Sequence, residues 1–202
     1  MSCDKSIVFV VDDDSSVRES LQLLIESVGW QPETFKSGQD FLARRRELTP
    51  SCLLLDVGLP GLDGFDVQKL LAHRTETPII FISGHGDVPT TVRAMRAGAV
   101  EFLTKPLDSD ALIQAMRDAL DHSRRELETL TQVRTLQDHY ASLSPREQEV
   151  MELVVSGRLN KQVGGALGIS EITVKAHRGK MMRKMNAGNL PDLVRMAERL
   201  GV

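Results

Sequence analysis

The fold of the first half of the chain is decided by the stretch Cys52-Leu53-Leu54-Leu55-Asp56-Val57-Gly58-Leu59-Pro60. Leucines followed by a carboxylate predict a buried strand that ends in a charge at its carboxyl edge. Gly58 and Pro60 then break the strand and turn the chain. Ligands of open parallel sheets bind outside the carboxyl ends of the strands, so Asp56 lies where chemistry is expected. Taken alone, Asp56 is equally consistent with an acid that caps a turn.

The segments on both sides of this strand alternate between strand patterns and helix patterns. Strands are predicted at residues 7–11, 31–35, 52–56, 78–83 and 100–103, and helices at residues 17–28, 39–45, 65–73, 88–97 and from residue 108. The short connections between them predict right-handed crossovers and a parallel sheet that helices cover on both faces. We therefore predict an α/β domain with a doubly wound, five-stranded parallel sheet.

Polar side chains stand at the carboxyl ends of four predicted strands: Asp12 and Asp13, Asp56, Ser83, and Lys105. Carboxylates that share a site repel one another unless a cation neutralises them. Oxygen ligands suit Mg²⁺, and a lysine and a hydroxyl beside the metal would cradle a phosphoryl group that a carboxylate attacks in line. The alternative is a set of five unrelated strand-end residues.

This arrangement resembles the receiver domain of two-component response regulators, a flavodoxin-like fold, over residues 5–122. The shared segments are Val10-Val11-Asp12-Asp13-Asp14, Asp56-Val57-Gly58-Leu59-Pro60, Ser83-Gly84-His85 and Lys105-Pro106. The resemblance implies that Asp56 accepts a phosphoryl group from a sensor histidine kinase. It also implies a bound Mg²⁺, or Mn²⁺ in its place, that Asp13 binds directly and Asp12 mainly through water, with Asp56 and the backbone carbonyl of Gly58 as further ligands.

The same resemblance assigns roles to three further residues. Ser83 and Lys105 would hold the phosphoryl oxygens, and Lys105-Pro106 would be a cis peptide. Phe102 occupies the position of the family's switch aromatic, and plain core packing is the alternative for it.

Residues 84–89 and 94–99 resemble the FixJ-type branch of the family. In that branch the fourth helix and the fifth strand form the face that dimerises after phosphorylation. Val92 and Met95 fit this face, and burial in the core fits them equally well. His85 lies in the loop, where a catalytic base is the less favoured interpretation.

Charge divides the chain into two halves. Residues 1–122 carry a net charge of −7 and residues 123–202 one of +4, and residues 158–184 contain seven basic residues and one acid. Such a split indicates a regulatory or metal-binding module joined to a nucleic-acid-binding one. Cys3 and Cys52 have no disulfide or metal-site spacing, and no apolar run reaches about 18 residues. We therefore expect a cytoplasmic protein without a membrane segment.

Between the halves, residues 108–140 contain neither Gly nor Pro. The last receiver helix either continues into a helical linker or ends near His122, with a separate helix or a flexible tether after it. Arg134 and Gln137 interrupt the apolar seam that a stable coiled coil would need. The predicted divisions are a receiver at residues 1–122, a linker at 123–142 and a DNA-binding domain at 143–202.

The second half is predicted to be a small all-α domain with four helices. Ser144 and Pro145 begin the first helix, and residues 160–167 form a short helix that ends at Gly168. Ser170 caps a longer, basic helix at residues 171–185, and a last helix covers residues 190–200. Two helices joined by a tight turn containing Gly make a helix-turn-helix, whose second helix enters the major groove of DNA.

This half resembles the LuxR-type DNA-binding domain over residues 143–202, through segments such as Ser144-Pro145-Arg146-Glu147, Leu167-Gly168-Ile169-Ser170 and Thr173-Val174-Lys175. The resemblance implies that Lys175, Ala176 and Gly179 face base edges. It implies that Lys161, Thr173, Arg178 and Lys184 contact phosphates. Gly164 and Gly165 depart from the family pattern, and each should destabilise its helix by about 1 kcal/mol.

Together the two resemblances imply a transcription regulator that dimerises on phosphorylation, binds promoter DNA and engages RNA polymerase, and that is no turnover enzyme. One rival is a haloacid-dehalogenase-like phosphohydrolase with Asp12 as nucleophile and Asp14 as general acid. That reading leaves Asp56 without a role. Another rival is an adaptor whose basic tail binds protein or RNA.

Overall fold

A computed structural model of the chain describes residues 6–84 and 86–202. It divides into two compact units, one that ends at Glu128 and one that comprises Thr129–Val202. The first contains strands β1 (Ile7–Val11), β2 (Gln31–Phe35), β3 (Ser51–Asp56), β4 (Ile79–Ser83) and β5 (Glu101–Thr104), and helices α1 (Ser15–Ser27), α2 (Gly38–Ala43), α3 (Gly64–Leu70) and α4 (Val88–Arg96). Cys3 lies outside the described residues.

The five strands of the described chain form one parallel sheet in the order β2-β1-β3-β4-β5. The predicted doubly wound fold is therefore confirmed, with element ends that differ from the prediction by at most three residues. Local side-chain caps set the helix starts: the side chains of Asp14, Ser37, Asp63 and Asp87 accept backbone N–H groups at the first turns of α1 to α4.

The sheet carries a core on each face because successive side chains of a strand point to opposite sides. Leu53, Leu55 and Phe81 pack on one face with α3 and α4, whereas Leu54 and Ile80 pack on the other with α1 and α5 (Ser109–Ala141). These five side chains are fully buried. Burial on both faces explains why the central strands are continuously apolar.

Helix α5 has 33 residues and continues through His122, so the continuous helix is the observed one of the two predicted alternatives. Ser123, which is fully buried on α5, fixes the helix to the amino-terminal edge of the sheet. Its Oγ accepts the backbone N–H of Ser51 at 2.9 Å and donates to the carbonyl of Glu76.

The second unit holds the end of α5 and the helices α6 (Pro145–Val155), α7 (Asn160–Leu167), α8 (Glu171–Lys184) and α9 (Leu190–Leu200). Val150, Met151, Val163, Val174 and Met181 form the centre of its core, and each is fully buried. The predicted four helices after the linker are present among the described residues. No described helix combines the length and the apolar character of a membrane span.

The two adjacent glycines of α7 stand in different surroundings. A Cβ on Gly164 would lie 2.7 Å from the carbonyl oxygen of Ile169, whereas a Cβ on Gly165 would meet no atom within 4 Å. Gly164 therefore permits close packing against the turn that follows α7. Of the two glycines, only Gly165 fits the expectation that glycine destabilises the helix without a compensating contact.

Candidate functional site

Three of the predicted site residues meet at the carboxyl edge of the sheet. Nζ of Lys105 lies 2.7 Å from Oδ2 of Asp12 and 2.8 Å from Oδ1 of Asp56. These residues lie at or next to the ends of β5, β1 and β3, and the strands β1 and β3 are buried along their whole length. The parallel sheet therefore brings together groups that lie 44 to 93 positions apart in the sequence.

Backbone N–H groups hold the other two carboxylate oxygens. Oδ1 of Asp12 accepts the N–H of Asp14 at 2.9 Å, and Oδ2 of Asp56 accepts the N–H of Gly58 at 2.6 Å. The turn that Gly58 begins thus orients the carboxylate of Asp56. The predicted role of the Gly58 carbonyl as a metal ligand stays a prediction.

Burial and charge act in opposite directions on this cluster. Burial raises the pKa of Asp12 more than the hydrogen bonds from Lys105 and Asp14 lower it. Burial also disfavours the ammonium of Lys105, yet its bonds to Asp12 and Asp56 together raise its pKa. Lys105 therefore stays a cation and balances part of the negative charge of the two acids.

The neighbouring acids Asp13 and Asp14 do not join this cluster. Asp13 is exposed, and within residues 6–84 and 86–202 no three His, Cys, Asp or Glu side chains are grouped closely enough to hold a metal ion. Oδ1 of Asp14 accepts the backbone N–H of Ser16 at 2.8 Å and so caps α1. Asp14, the general acid of the alternative phosphohydrolase hypothesis, therefore serves as the N-cap of α1.

Ser83 and Lys105 lie on adjacent strand ends. Ser83 is buried at the end of β4, and its carbonyl accepts the backbone N–H of Lys105 at 2.8 Å. The Lys105-Pro106 bond is cis, as predicted. The structure thus places both predicted phosphoryl-binding side chains on neighbouring strands, on the same edge as Asp56.

Phe102 on β5 is half-buried, with its ring centroid 6.3 Å from that of Phe81. The loop after β4 covers this strand closely, since a Cβ on Gly86 would lie 2.1 Å from Cγ2 of Thr104. His85, in the same loop, lies outside the described residues. Val92 and Met95 are each 42% exposed on α4, so neither belongs to the buried core.

The predicted DNA-contacting residues fall into two groups on α7 and α8. Lys161, Lys175 and Ala176 are exposed, and Gly179 is half-buried. The ammonium of Lys175 pairs with Glu171 at 3.2 Å. By contrast, Arg178 and Thr173 are engaged within the domain, with Nη1 of Arg178 on Oδ1 of Asn160 at 3.0 Å and the hydroxyl of Thr173 on that of Ser170 at 2.8 Å.

Lys184 is engaged more strongly than the sequence suggested. Its ammonium lies 2.6 Å from Oε2 of Glu147 and 2.9 Å from the carbonyl of Ser142. The Glu147 side chain is only 5% exposed, and the hydrogen bond from Lys184 lowers its pKa. The same carboxylate accepts the N–H of Ser144 in a capping box, a motif that was visible in the sequence as Ser-Pro-Arg-Glu. The phosphate contact of Lys184 stays a prediction.

Comparison with known proteins agrees with this geometry. Residues 8–117 match the response regulator receiver domain, and residues 141–197 match the luxR family of bacterial regulatory proteins. The chain is 50% identical to Nodulation protein W of Bradyrhizobium diazoefficiens over 199 residues, which are 98% of this chain and 88% of that protein. It is 38% identical over 199 residues to the transcriptional regulatory protein FixJ of the same organism, with 98% and 97% of the two chains covered.

A solved structure supports the same relationship. The response regulator StyR superposes with a TM-score of 0.84 at 44% identity, with 96% of this chain and 99% of that chain covered. The matched families are those of transcription regulators and not of turnover enzymes, which removes the phosphohydrolase reading. The chain therefore belongs to the two-component response regulators that join a receiver domain to a LuxR-type DNA-binding domain, and so to the proteins that regulate transcription.

Proposed function

We propose that Asp56 is the residue that accepts the phosphoryl group from a sensor histidine kinase. The observation that carries this assignment is the position of Lys105, whose ammonium bridges Asp56 and Asp12. A phosphoryl group on Asp56 would stand within reach of this ammonium. In the transfer, a carboxylate oxygen of Asp56 forms a bond to phosphorus as the phosphorus–nitrogen bond of the donor phosphohistidine breaks.

Receiver domains typically bind Mg²⁺ at this acidic pocket, and the carboxylate oxygens of Asp12 and Asp56 are the donors that Mg²⁺ prefers. We propose that Asp13 and the carbonyl of Gly58 complete the ligands. The metal would supply positive charge to the phosphoryl oxygens. Lys105 would move from the two carboxylates towards those oxygens, and the hydroxyl of Ser83 would bind another of them.

Phosphorylation would then act at a distance through β5 and α4. Phe102 is half-buried beside the close-packed loop after β4, and we propose that it reorients when Ser83 closes on the phosphoryl group. The exposed apolar side chains of α4 would form the homodimer face, and Val88, Val92 and Met95 are its candidates.

The dimer would place its two copies of α8 on the two half-sites of a promoter site with two-fold symmetry. Bound there, it would contact RNA polymerase. Lys161, Thr173, Lys175, Ala176, Arg178, Gly179 and Lys184 are the proposed contact residues. The basic residues of α8 and the exposure of Lys161, Lys175 and Ala176 support this assignment. Phosphorylation by the kinase and binding to promoter DNA would take place in the cytoplasm.

Intact-mass spectrometry after exposure to acetyl phosphate and Mg²⁺ tests the assignment. The wild-type chain should gain the mass of one phosphoryl group, Asp56→Asn should gain none, and Asp118→Asn, which changes an exposed acid of α5, should behave like wild type. Light scattering should show a dimer only for the chains that gain the group. Phosphorylation of Asp56→Asn at the wild-type rate would refute the assignment.

A further inference from the structure

Ile172 is an exposed apolar residue that does not belong to the helical core formed by the described residues. Its side chain is 80% exposed, the largest exposed fraction among the large apolar residues of the described chain. It stands at the second position of α8, after the Ser170 cap, where a β-branched residue has no advantage for helix stability. Leaving an isoleucine in water forgoes stabilisation that burial would provide.

The position of Ile172 on α8 separates it from the core. Residues 172, 175, 176 and 179 recur at the spacing of one helix face, which is the face of the three proposed base-edge residues. Val174 and Met181 lie on the buried side. Ile172 is therefore the large apolar residue of this face. The other side chains on the face end in the ammonium of Lys175 and the methyl group of Ala176.

The charge of α8 indicates what meets this face. Lys175, Lys180 and Arg183 are exposed on the helix, and its only acid is Glu171. Such a surface complements a polyanion and opposes an apolar protein partner. Among the groups that a base pair presents in the major groove, the C5-methyl of thymine is the apolar one.

We propose that Ile172 contacts the C5-methyl of a thymine in each half-site, and so adds an apolar term to the sequence specificity of α8. The proposal rests on the proposed DNA binding by this helix. The amino-terminal residues of a recognition helix are those that reach base edges, and Ile172 is at that end. The contact would remove from water both the isoleucine and the methyl group.

Uracil in place of thymine tests the contact, because it deletes only the methyl group. Duplexes are first selected from a random-sequence library by the full-length wild-type chain with acetyl phosphate and Mg²⁺. Each thymine of the selected site is then replaced singly by deoxyuridine. We expect one position per half-site at which wild type loses about four-fold in affinity, which corresponds to about 0.8 kcal/mol for a buried methylene-sized group.

Ile172→Ala changes both subunits of the dimer, so it should bind the thymine duplex about sixteen-fold more weakly, about four-fold for each half-site, and show no further loss with uracil at that position. Ile172→Val, which keeps the branched methyl groups, should retain the dependence. Leu159→Ala removes another apolar side chain, which is 70% exposed at the start of α7. This variant should leave the dependence of affinity on the thymine methyl group unchanged. If Ile172→Ala keeps the full uracil effect, or if wild type shows none, this inference is overturned while DNA binding stands. If wild type selects no sequence, both are overturned.

Discussion

At the scale of single residues, the ammonium of Lys105 supplies positive charge to both Asp12 and Asp56. Asp13 is the informative neighbour, since the resemblance to receiver domains makes it a direct ligand and the structure leaves it exposed outside the cluster. Metal binding to the folded chain should raise its stability by mass action.

Addition of Mg²⁺ at about one hundred times its dissociation constant should stabilise the wild-type receiver by about 2–3 kcal/mol. In thermal unfolding experiments, the Asp12→Asn and Asp13→Asn variants should each lose most of this stabilisation by Mg²⁺, because each substitution removes a negative charge from the metal site. Asp14→Asn is the matched control, since asparagine also caps helices and α1 should keep its start. A full Mg²⁺ effect in Asp13→Asn would show that Asp13 is no ligand.

The pair of Lys184 and Glu147 gives a second prediction for individual side chains. Glu147→Gln should destabilise the second unit by about 1–2 kcal/mol at neutral pH, because a charge-assisted hydrogen bond to a buried carboxylate is lost. Lys184→Met should cause a similar loss, and the double variant should lose less than the sum of the two. Denaturant titrations measure all three, and full additivity would show that the pair is uncoupled.

The pH dependence of this pair follows from the lowered pKa of Glu147. A carboxyl whose pKa is lower in the folded state stabilises the protein above its unfolded pKa, and this contribution is lost as the pH falls through the folded value. The difference between wild type and Glu147→Gln should therefore be constant near neutral pH and shrink in acid. A difference that grows in acid would contradict the shift.

At the scale of elements, the adjacent glycines of α7 should respond oppositely to the same substitution. Gly165→Ala should stabilise the domain by about 0.5–1 kcal/mol, since the added Cβ meets no neighbour and alanine favours the helix. Gly164→Ala should destabilise it by about 1–3 kcal/mol, because the Cβ would overlap the carbonyl of Ile169. Equal shifts in the unfolding midpoints would show that α7 is free to move away from the turn.

At the scale of the whole molecule, the two units should unfold as separate cooperative transitions. The receiver core is built on both faces of the sheet, and the core of α6 to α9 is a distinct cluster. Leu54→Ala and Met181→Ala each empty a fully buried position, which should cost about 2–5 kcal/mol.

Scanning calorimetry should show two transitions in the wild-type chain. Leu54→Ala should lower only the transition of the receiver, and Met181→Ala only that of the helical unit, because neither side chain contributes to the other core. A single transition that both variants lower equally would show that the units unfold as one.

The sequence by itself determined the architecture of both halves. Alternating apolar runs and helix patterns specify the parallel sheet, because strands buried on both faces must be continuously apolar. Acids and a lysine after these runs also located the site, since the carboxyl ends of parallel strands meet at one edge. Capping residues and the basic helix similarly predicted the helix-turn-helix.

Only the tertiary structure decided which of these polar groups engage one another. Asp12, Asp56 and Lys105 meet while Asp13 does not, and Lys184 turns to a buried Glu147. It also decided that Gly164 is required by packing while Gly165 is not. The physical reason is the same in each case: periodicity fixes the face on which a residue lies, whereas distances of a few ångströms between residues remote in sequence depend on how whole elements pack.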